Sequence, residues 1–375
     1  MAQHNATLKT LELGRFVAAS LVMLSHILWD VPHFAARHGE IVLGGFVPPG
    51  AVGVQFFFVL SGFVMMLAHH EDFGQLAAVP RFWWRRALRI YPMYWLGLLV
   101  PVYYLSGFLH PGLTAALVTL VPVNVHEFVP AAWSLRYEMA FYAMFGLCLL
   151  PRVGLVVLAG WVLVVVWFVY QAYRPVSLEW LLDPPFMYPL DRFFYAGGSR
   201  FVSFFELYFF AGLGAGWLFV RRLAGVFRGW ASLCAGVVLL AAGARAVQYG
   251  YGYPNPPMAP VLAAGFAGVI LGLAWLERAG VIKLGARARL LGAMSYPLYI
   301  VHMPLMLLVD VQCGKWLRLG PVALYVFAFA CVAGIYAIIW AATICLDQPV
   351  QRYVSARFWT KKSPGDITRG NLLSP

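Results

Sequence analysis

Charged side chains are scarce in this sequence: they make up 11% of its 375 residues, against 62% that are hydrophobic. A soluble globular domain has about a quarter of its residues charged, so a water-exposed fold is excluded and a polytopic membrane protein is indicated. Acidic residues are scarcer than basic ones, 15 against 27, which leaves a formal net charge of +12. In an apolar, aromatic background that excess points to basic loops facing the cytoplasm and anionic lipid, and not to nucleic acid. Paired cysteines are also lacking. Cys148, Cys234, Cys313, Cys331 and Cys345 have neither disulfide nor metal-ligand spacing, so they read as small buried hydrophobes and no metal is expected. The opening stretch MAQHNATLKTLELGR has no basic n-region and no small-residue cleavage site, so the first apolar span is expected to be retained. No internal repeat is evident. One integral domain is expected over 1–350, followed by a short basic cytoplasmic tail over 351–375.

What is present is a succession of apolar runs. A helix needs about 20 such residues to cross the hydrocarbon core, and about ten runs meet that criterion. They lie at 11–29, 50–69, 88–108, 131–150, 153–172, 201–220, 229–248, 258–276, 289–311 and 320–345. The expected fold class is therefore all-α, a polytopic integral membrane protein. The run at 113–125 is short and contains Pro122, which suits an interfacial or re-entrant piece. Most of the 27 Lys and Arg fall in one alternate set of connections, including RFWWRRALR (81–89), the 221–228 and 278–289 loops and the tail. The positive-inside rule then puts both termini in the cytoplasm.

Against this background, LELGRFVAASLVMLSHI (11–27) carries Glu12, Arg15 and His26. A charge near the bilayer centre costs at least about 2.5–3.5 kcal/mol, so such groups are functional candidates by default. Glu12 and Arg15 are three apart and can pair on one helix face. Eleven residues separate Arg15 from His26, which returns them to within roughly 20° of one face and about 16 Å apart along the axis. Glu138, Glu206 and His302, with Tyr299 a turn before it, fall at comparable depth in other spans. A neighbouring carboxylate would orient His26 and raise its basicity, as general-base chemistry requires. The plain alternatives are a snorkelling Arg15, structural polar links and a core histidine.

The same stretches resemble the membrane-bound acyltransferase 3 family. LELGRFVAASLVMLSH is similar to its opening block LDGLRAIAxxxVxxxH, matched at Arg15 and His26. GVQFFFVLSGFVM (53–65) resembles GVDLFFVLSGFLI, and RFWWRRALRIYPMYW (81–95) resembles FxxxRxxRIYPxYW, matched at Arg86 and Arg89. AAWSLRYEMAFY (131–142) resembles PLWSLSVEEQFY, SYPLYIVHMPL (295–305) resembles SYSLYLWHxPL, and DQPVQR (347–352) stands where the family places an acid-x-Pro element. Departures are Glu12 for Asp, Gln55 for an acid, and Met139 and Ala140 for Glu-Gln; no role for an acid at 55 or 139 carries over. The extra extracytoplasmic hydrolase-like domain of some members is not expected.

The resemblance implies a membrane O-acyltransferase of the bacterial cytoplasmic (inner) membrane. It would move an acyl group, usually acetyl, from cytoplasmic acyl-CoA to a hydroxyl of an extracytoplasmic or lipid-linked carbohydrate, and association with polysaccharide assembly machinery would fit. Arg85, Arg86 and Arg89 would bind donor phosphates, with Arg15 lining the path of the pantetheine arm. His26 would act as general base, although an acyl-histidine intermediate stays open. Glu138 would orient the base or the acceptor hydroxyl. Trp133, Ser134, Glu206, Tyr299 and His302 are candidate acceptor-binding residues, and Glu12 and Asp347 structural polar ones. Loops 30–49 and 173–200 are the expected acceptor-recognition surfaces. Two other readings remain: a transporter or flippase with a proton relay, and acylation of a small-molecule glycoside.

Overall fold

The computed structural model describes residues 8–36, 49–105, 115–123, 125, 127–172, 200–221, 225–246, 258–313 and 321–359. Loop 173–199 and most of loop 30–49 therefore lie outside the described residues, as does the tail from 360 onward. The described chain is helical, without strands: α1 (Lys9–Ala36), α2 (Gly50–His69), α3 (Ala78–Leu105), α4 (Ala115–Thr119), α5 (Ala132–Cys148), α6 (Gly154–Ala172), α7 (Phe205–Val220), α8 (Val226–Ala246), α9 (Ala259–Arg278), α10 (Arg287–Cys313), α11 (Pro321–Ala342), a π-helix (Thr343–Asp347) and α12 (Gln348–Trp359).

Each apolar run read from the sequence falls on one of these helices, and six helices are long and apolar enough to cross a membrane. Two more, Gly154–Val169 and Phe205–Val220, are apolar but shorter. The other two runs fall on α3, which carries four arginines near its start, and α5, which has only 17 residues and holds Arg136 and Glu138. Two boundaries differ from expectation. RFWWRRALR is the first part of α3, not a loop. Pro80 sits in the first turn, where its missing N–H costs nothing, and nothing before Pro92 breaks the helix. Arg81, Arg85 and Arg89 consequently form one i, i+4 stripe. At the other end, the helical chain runs through position 350, where the tail was expected to begin.

α1 packs on α2, α10, α9 and α11, while α2 also packs closely on α7, and α8 on α9. The approach of α2 to α7 depends on glycine. A Cβ at Gly62 would strike the Phe209 carbonyl, and one at Gly212 would strike that of Val59. Small residues at such contacts let backbones pack where lipid supplies no hydrophobic drive. The α9 span is 61% buried inside the protein but the α8 and Val326–Tyr353 spans only 17%, so the latter are peripheral. Their outward faces show Val237, Val238, Phe329, Ile338 and Trp340. This also corrects the cysteine expectation: Cys148 is buried, but Cys234 and Cys345 are exposed on those peripheral faces.

Among its described residues, the 113–125 run forms the five-residue α4, followed by Leu120 at a φ of 52°. Backbone groups left open in hydrocarbon cost several kcal/mol each, and here side chains occupy them. Tyr91, Tyr94 and Trp95 of α3 donate to the Thr119, Leu117 and Val118 carbonyls. Arg136 of α5 is fully buried, donates to the Ala116 carbonyl at 3.0 Å and to that of Val121, and forms an ion pair with Glu127. The segment is thereby fastened between α3 and α5.

Candidate active site

Two polar layers lie along α1. The one nearer the C-terminal end of α1, called outer only by its position along that helix, is built on His26, whose Nδ1 lies 2.9 Å from Nε2 of His302 on α10, the rings stacked at 5.2 Å and 9°. His302 is fully buried, with its Nδ1 2.9 Å from the Leu298 carbonyl. A carbonyl only accepts, so His302 Nδ1 carries the proton and, in the neutral ring, Nε2 accepts. His26 must then donate from Nδ1, which leaves its Nε2 lone pair as the basic site. Among the described residues, no group bonds to His26 Nε2. One turn before His302, Tyr299 meets Ser134 of α5 across 2.6 Å and packs edge-on against Phe57.

The inner layer is charged. Arg15 Nη1 is 3.8 Å from Glu12, and Arg15 also interacts electrostatically with Glu138, Tyr142 and Arg89. Glu138 accepts from Ser61 at 3.0 Å and from Tyr142. Arg86 lies over the rings of Phe82 and Tyr142, at 5.7 and 5.4 Å. The π-helix ends at Asp347, which stands in the field of Arg89 and Arg15. A π turn inserts an extra residue into the helix and re-aims the side chains beyond it, often at a functional site. Tyr296 donates to the Ile90 carbonyl at 2.7 Å and stands in the field of Glu138, Arg89 and Asp347.

Of the residues selected from the sequence, the structure thus brings His26 to His302, Tyr299 to Ser134, and Arg15, Glu12, Arg86, Arg89, Glu138 and Asp347 into one cluster. His26 meets an imidazole where a carboxylate was anticipated, because Glu138 lies deeper along α5 and turns to Ser61 and the arginines. Arg85 stands beside Arg81 and Asp72 on the rim of that cluster. Glu206 is fully buried but turns to its own helix start, taking the N–H and hydroxyl of Ser203. Trp133 packs with Tyr137 and Phe205. Sequence reasoning passed over Ser61, Tyr142 and Tyr296, although each stands inside a motif it quoted. Tyr142 lies one turn from Glu138, a spacing that was available.

A family model described as an acyltransferase domain matches residues 8–341. The chain is 28% identical over 315 residues to the acyltransferase MdmB of Streptomyces mycarofaciens, covering 77% of this chain and 76% of that protein. It is 36% identical over 118 residues to the exopolysaccharide production protein ExoZ of Rhizobium meliloti (strain 1021), covering 28% of this chain and 36% of that one. No solved structure matches.

Proposed function

Because the chain belongs to the acyltransferase 3 family, we propose that this membrane acyltransferase uses its two polar layers to carry an acyl group from cytoplasmic acyl-CoA to a carbohydrate hydroxyl beyond the membrane. In this reading all ten long helices cross the bilayer, with both termini cytoplasmic and the chain in a bacterial cytoplasmic membrane. α5 crosses despite its charges because Arg136 and Glu138 face partners inside the protein, and α3 crosses with its arginines gathered near one end. The donor, acetyl-CoA, approaches the arginine-rich start of α3. Its pantetheine arm passes Arg15, and the thioester arrives beside His26. The acceptor is a hydroxyl of an extracytoplasmic or lipid-linked glycan. The name of the partly matching ExoZ supports that acceptor class, as it does association with polysaccharide assembly machinery.

The observation that carries the reading is the bonded order Leu298 carbonyl, His302, His26. It leaves His26 Nε2 as an available base. His26 Nε2 takes the acceptor hydroxyl proton as the oxygen attacks the thioester carbonyl, forming the C–O bond. The C–S bond then breaks, and the thiolate recovers that proton from Nε2. The ester and the free CoA thiol are the products. A neutral His302 fixes the ring and its tautomer without adding the counter-charge of a carboxylate. The test is transfer from labelled acetyl-CoA in membranes holding His26→Ala at normal abundance. Loss of transfer is expected, and near-normal transfer would remove His26 from the reaction.

A further inference from the structure

A groove of about 470 Å³ opens where the end of α2, the start of α6 and the second half of α7 meet, and no residue of the two polar layers lines it. Its walls are apolar: Met66, Phe73, Leu155, Leu158, Leu213 and Trp217 stand along it, and His70 is the one titratable side chain on them. Leu155 is 68% exposed and Trp217 43%, so the groove opens sideways and is not an interior void. The exposed Val156, Leu163 and Trp167 continue the outward face of α6 beside it. In a membrane acyltransferase such a face meets hydrocarbon. The rim carries charge. Arg221, at the C-cap of α7, lies 3.8 Å over the ring of Trp217. Arg152 sits in the turn that leads into α6, three residues before Leu155, with a φ of 65°. Glycine adopts that left-handed conformation freely and arginine does not, so a cation stands where backbone economy favours glycine. The Gly74 N–H ties this turn to the end of α2, donating to the Leu149 carbonyl at 3.0 Å. Glu71 is the acid on this side, 3.8 Å from His70 and turned to solvent. Asp72 turns the other way, to His69 at 2.7 Å and towards Arg85.

We propose that this groove binds an anionic phospholipid: one acyl chain lies along Leu155, Leu158, Leu213 and Trp217, and Arg152 and Arg221 hold the phosphate at the rim. Guanidinium groups suit a phosphate because they present paired N–H donors in one plane. In the orientation proposed above, the end of α2 and the start of α6 lie on the cytoplasmic side, the leaflet in which anionic lipids collect around basic pockets between helices. The wall leaves room for a chain at Gly214, where a Cβ would meet nothing within 4 Å. The site is additional to the acyl-transfer path and does not depend on the donor.

The test is the melting temperature of the full-length protein in neutral detergent with added phosphatidylglycerol, phosphatidylcholine or inorganic phosphate. Phosphatidylglycerol should raise it by about 2–4 °C, the scale of shift a bound ligand gives a large domain. The other two should raise it by no more than about 1 °C. Without lipid, Arg152→Gly should melt at about the temperature of the unaltered protein, because glycine accepts the left-handed turn. It should nonetheless lose about half or more of the phosphatidylglycerol gain, as should Arg221→Gln. Gly214→Leu fills the groove and should abolish the gain while leaving the lipid-free melting temperature in place. Equal gains from phosphatidylcholine would overturn the site, as would a full gain in Gly214→Leu or with both arginines replaced. A gain matched by inorganic phosphate would overturn it too, leaving an anion site without a lipid chain. No thioester enters these measurements, so the acyl-CoA reading stands or falls separately.

Discussion

The outer and inner layers share α1, α5 and α10 but handle polarity in opposite ways. The outer layer is built from uncharged partners: His26 pairs with His302, which the Leu298 carbonyl orients, and Tyr299 pairs with Ser134. The inner layer is ionic and partly open, with Arg15 and Glu12 retaining 21% and 25% side-chain exposure. A proton must be taken from a hydroxyl in one place and a large donor admitted in the other. A base gains from a fixed tautomer and a dry setting, whereas an entry path needs charges that cancel and room between them.

The comparison can be broken most severely at the base. His26→Ala should lower transfer by about 10²–10⁴-fold, the usual contribution of a positioned base, while equilibrium binding of labelled acetyl-CoA remains. A loss of binding in step with transfer would erase the distinction between the layers. A separate ion pair, Arg136 with Glu127, contrasts with both because it is closed from solvent. Glu127→Gln leaves that guanidinium without its charge partner and should cost about 3–5 kcal/mol of stability, read as a lowered melting temperature in detergent. An unchanged melting temperature would contradict the fastening role given to this pair.

A smaller effect separates orientation from charge in the outer layer. His302→Gln keeps a neutral acceptor for the His26 Nδ1 proton, whereas His302→Leu removes it. The leucine variant should lose about tenfold in kcat, equivalent to the roughly 1.4 kcal/mol of one hydrogen bond, with donor KM unchanged, and the glutamine variant should lose less. Equal losses would show that His302 serves by bulk alone. The smallest effect concerns Gln55, which is 1% exposed and has no hydrogen-bond partner for either amide atom among the described residues. Gln55→Met should raise the melting temperature slightly, because removing an unsatisfied buried amide recovers about 1–3 kcal/mol, offset in part by imperfect packing.

Hydropathy made the helices legible, because each long apolar run has few ways to satisfy its backbone except as a helix. It failed at the start of α3, where an arginine run looked like a loop; hydropathy counts charge and cannot see that the four arginines fall on one continuous helix. The π turn that ends at Asp347 left no trace in composition. Within the site, the Glu12–Arg15 contact and the shared face of Arg15 and His26 follow from helical period alone. That His26 meets His302 does not, since α1 and α10 are brought together only by the fold. The depth assigned to Glu206 came from a span start at 201; the helix starts instead at Phe205, which puts Glu206 in its first turn, bonded to Ser203.

The central claim is that donor and base are reached from opposite sides of one membrane. Sealed vesicles of defined orientation test it directly, with labelled acetyl-CoA added outside and the acceptor glycan present on both faces. In inside-out vesicles, where the proposed orientation turns the start of α3 to the donor, acetyl ester should accumulate on lumenal glycan and disappear with His26→Ala. In right-side-out vesicles no ester should form. Equal labelling in both orientations, or ester confined to the face that received acetyl-CoA, would contradict the account.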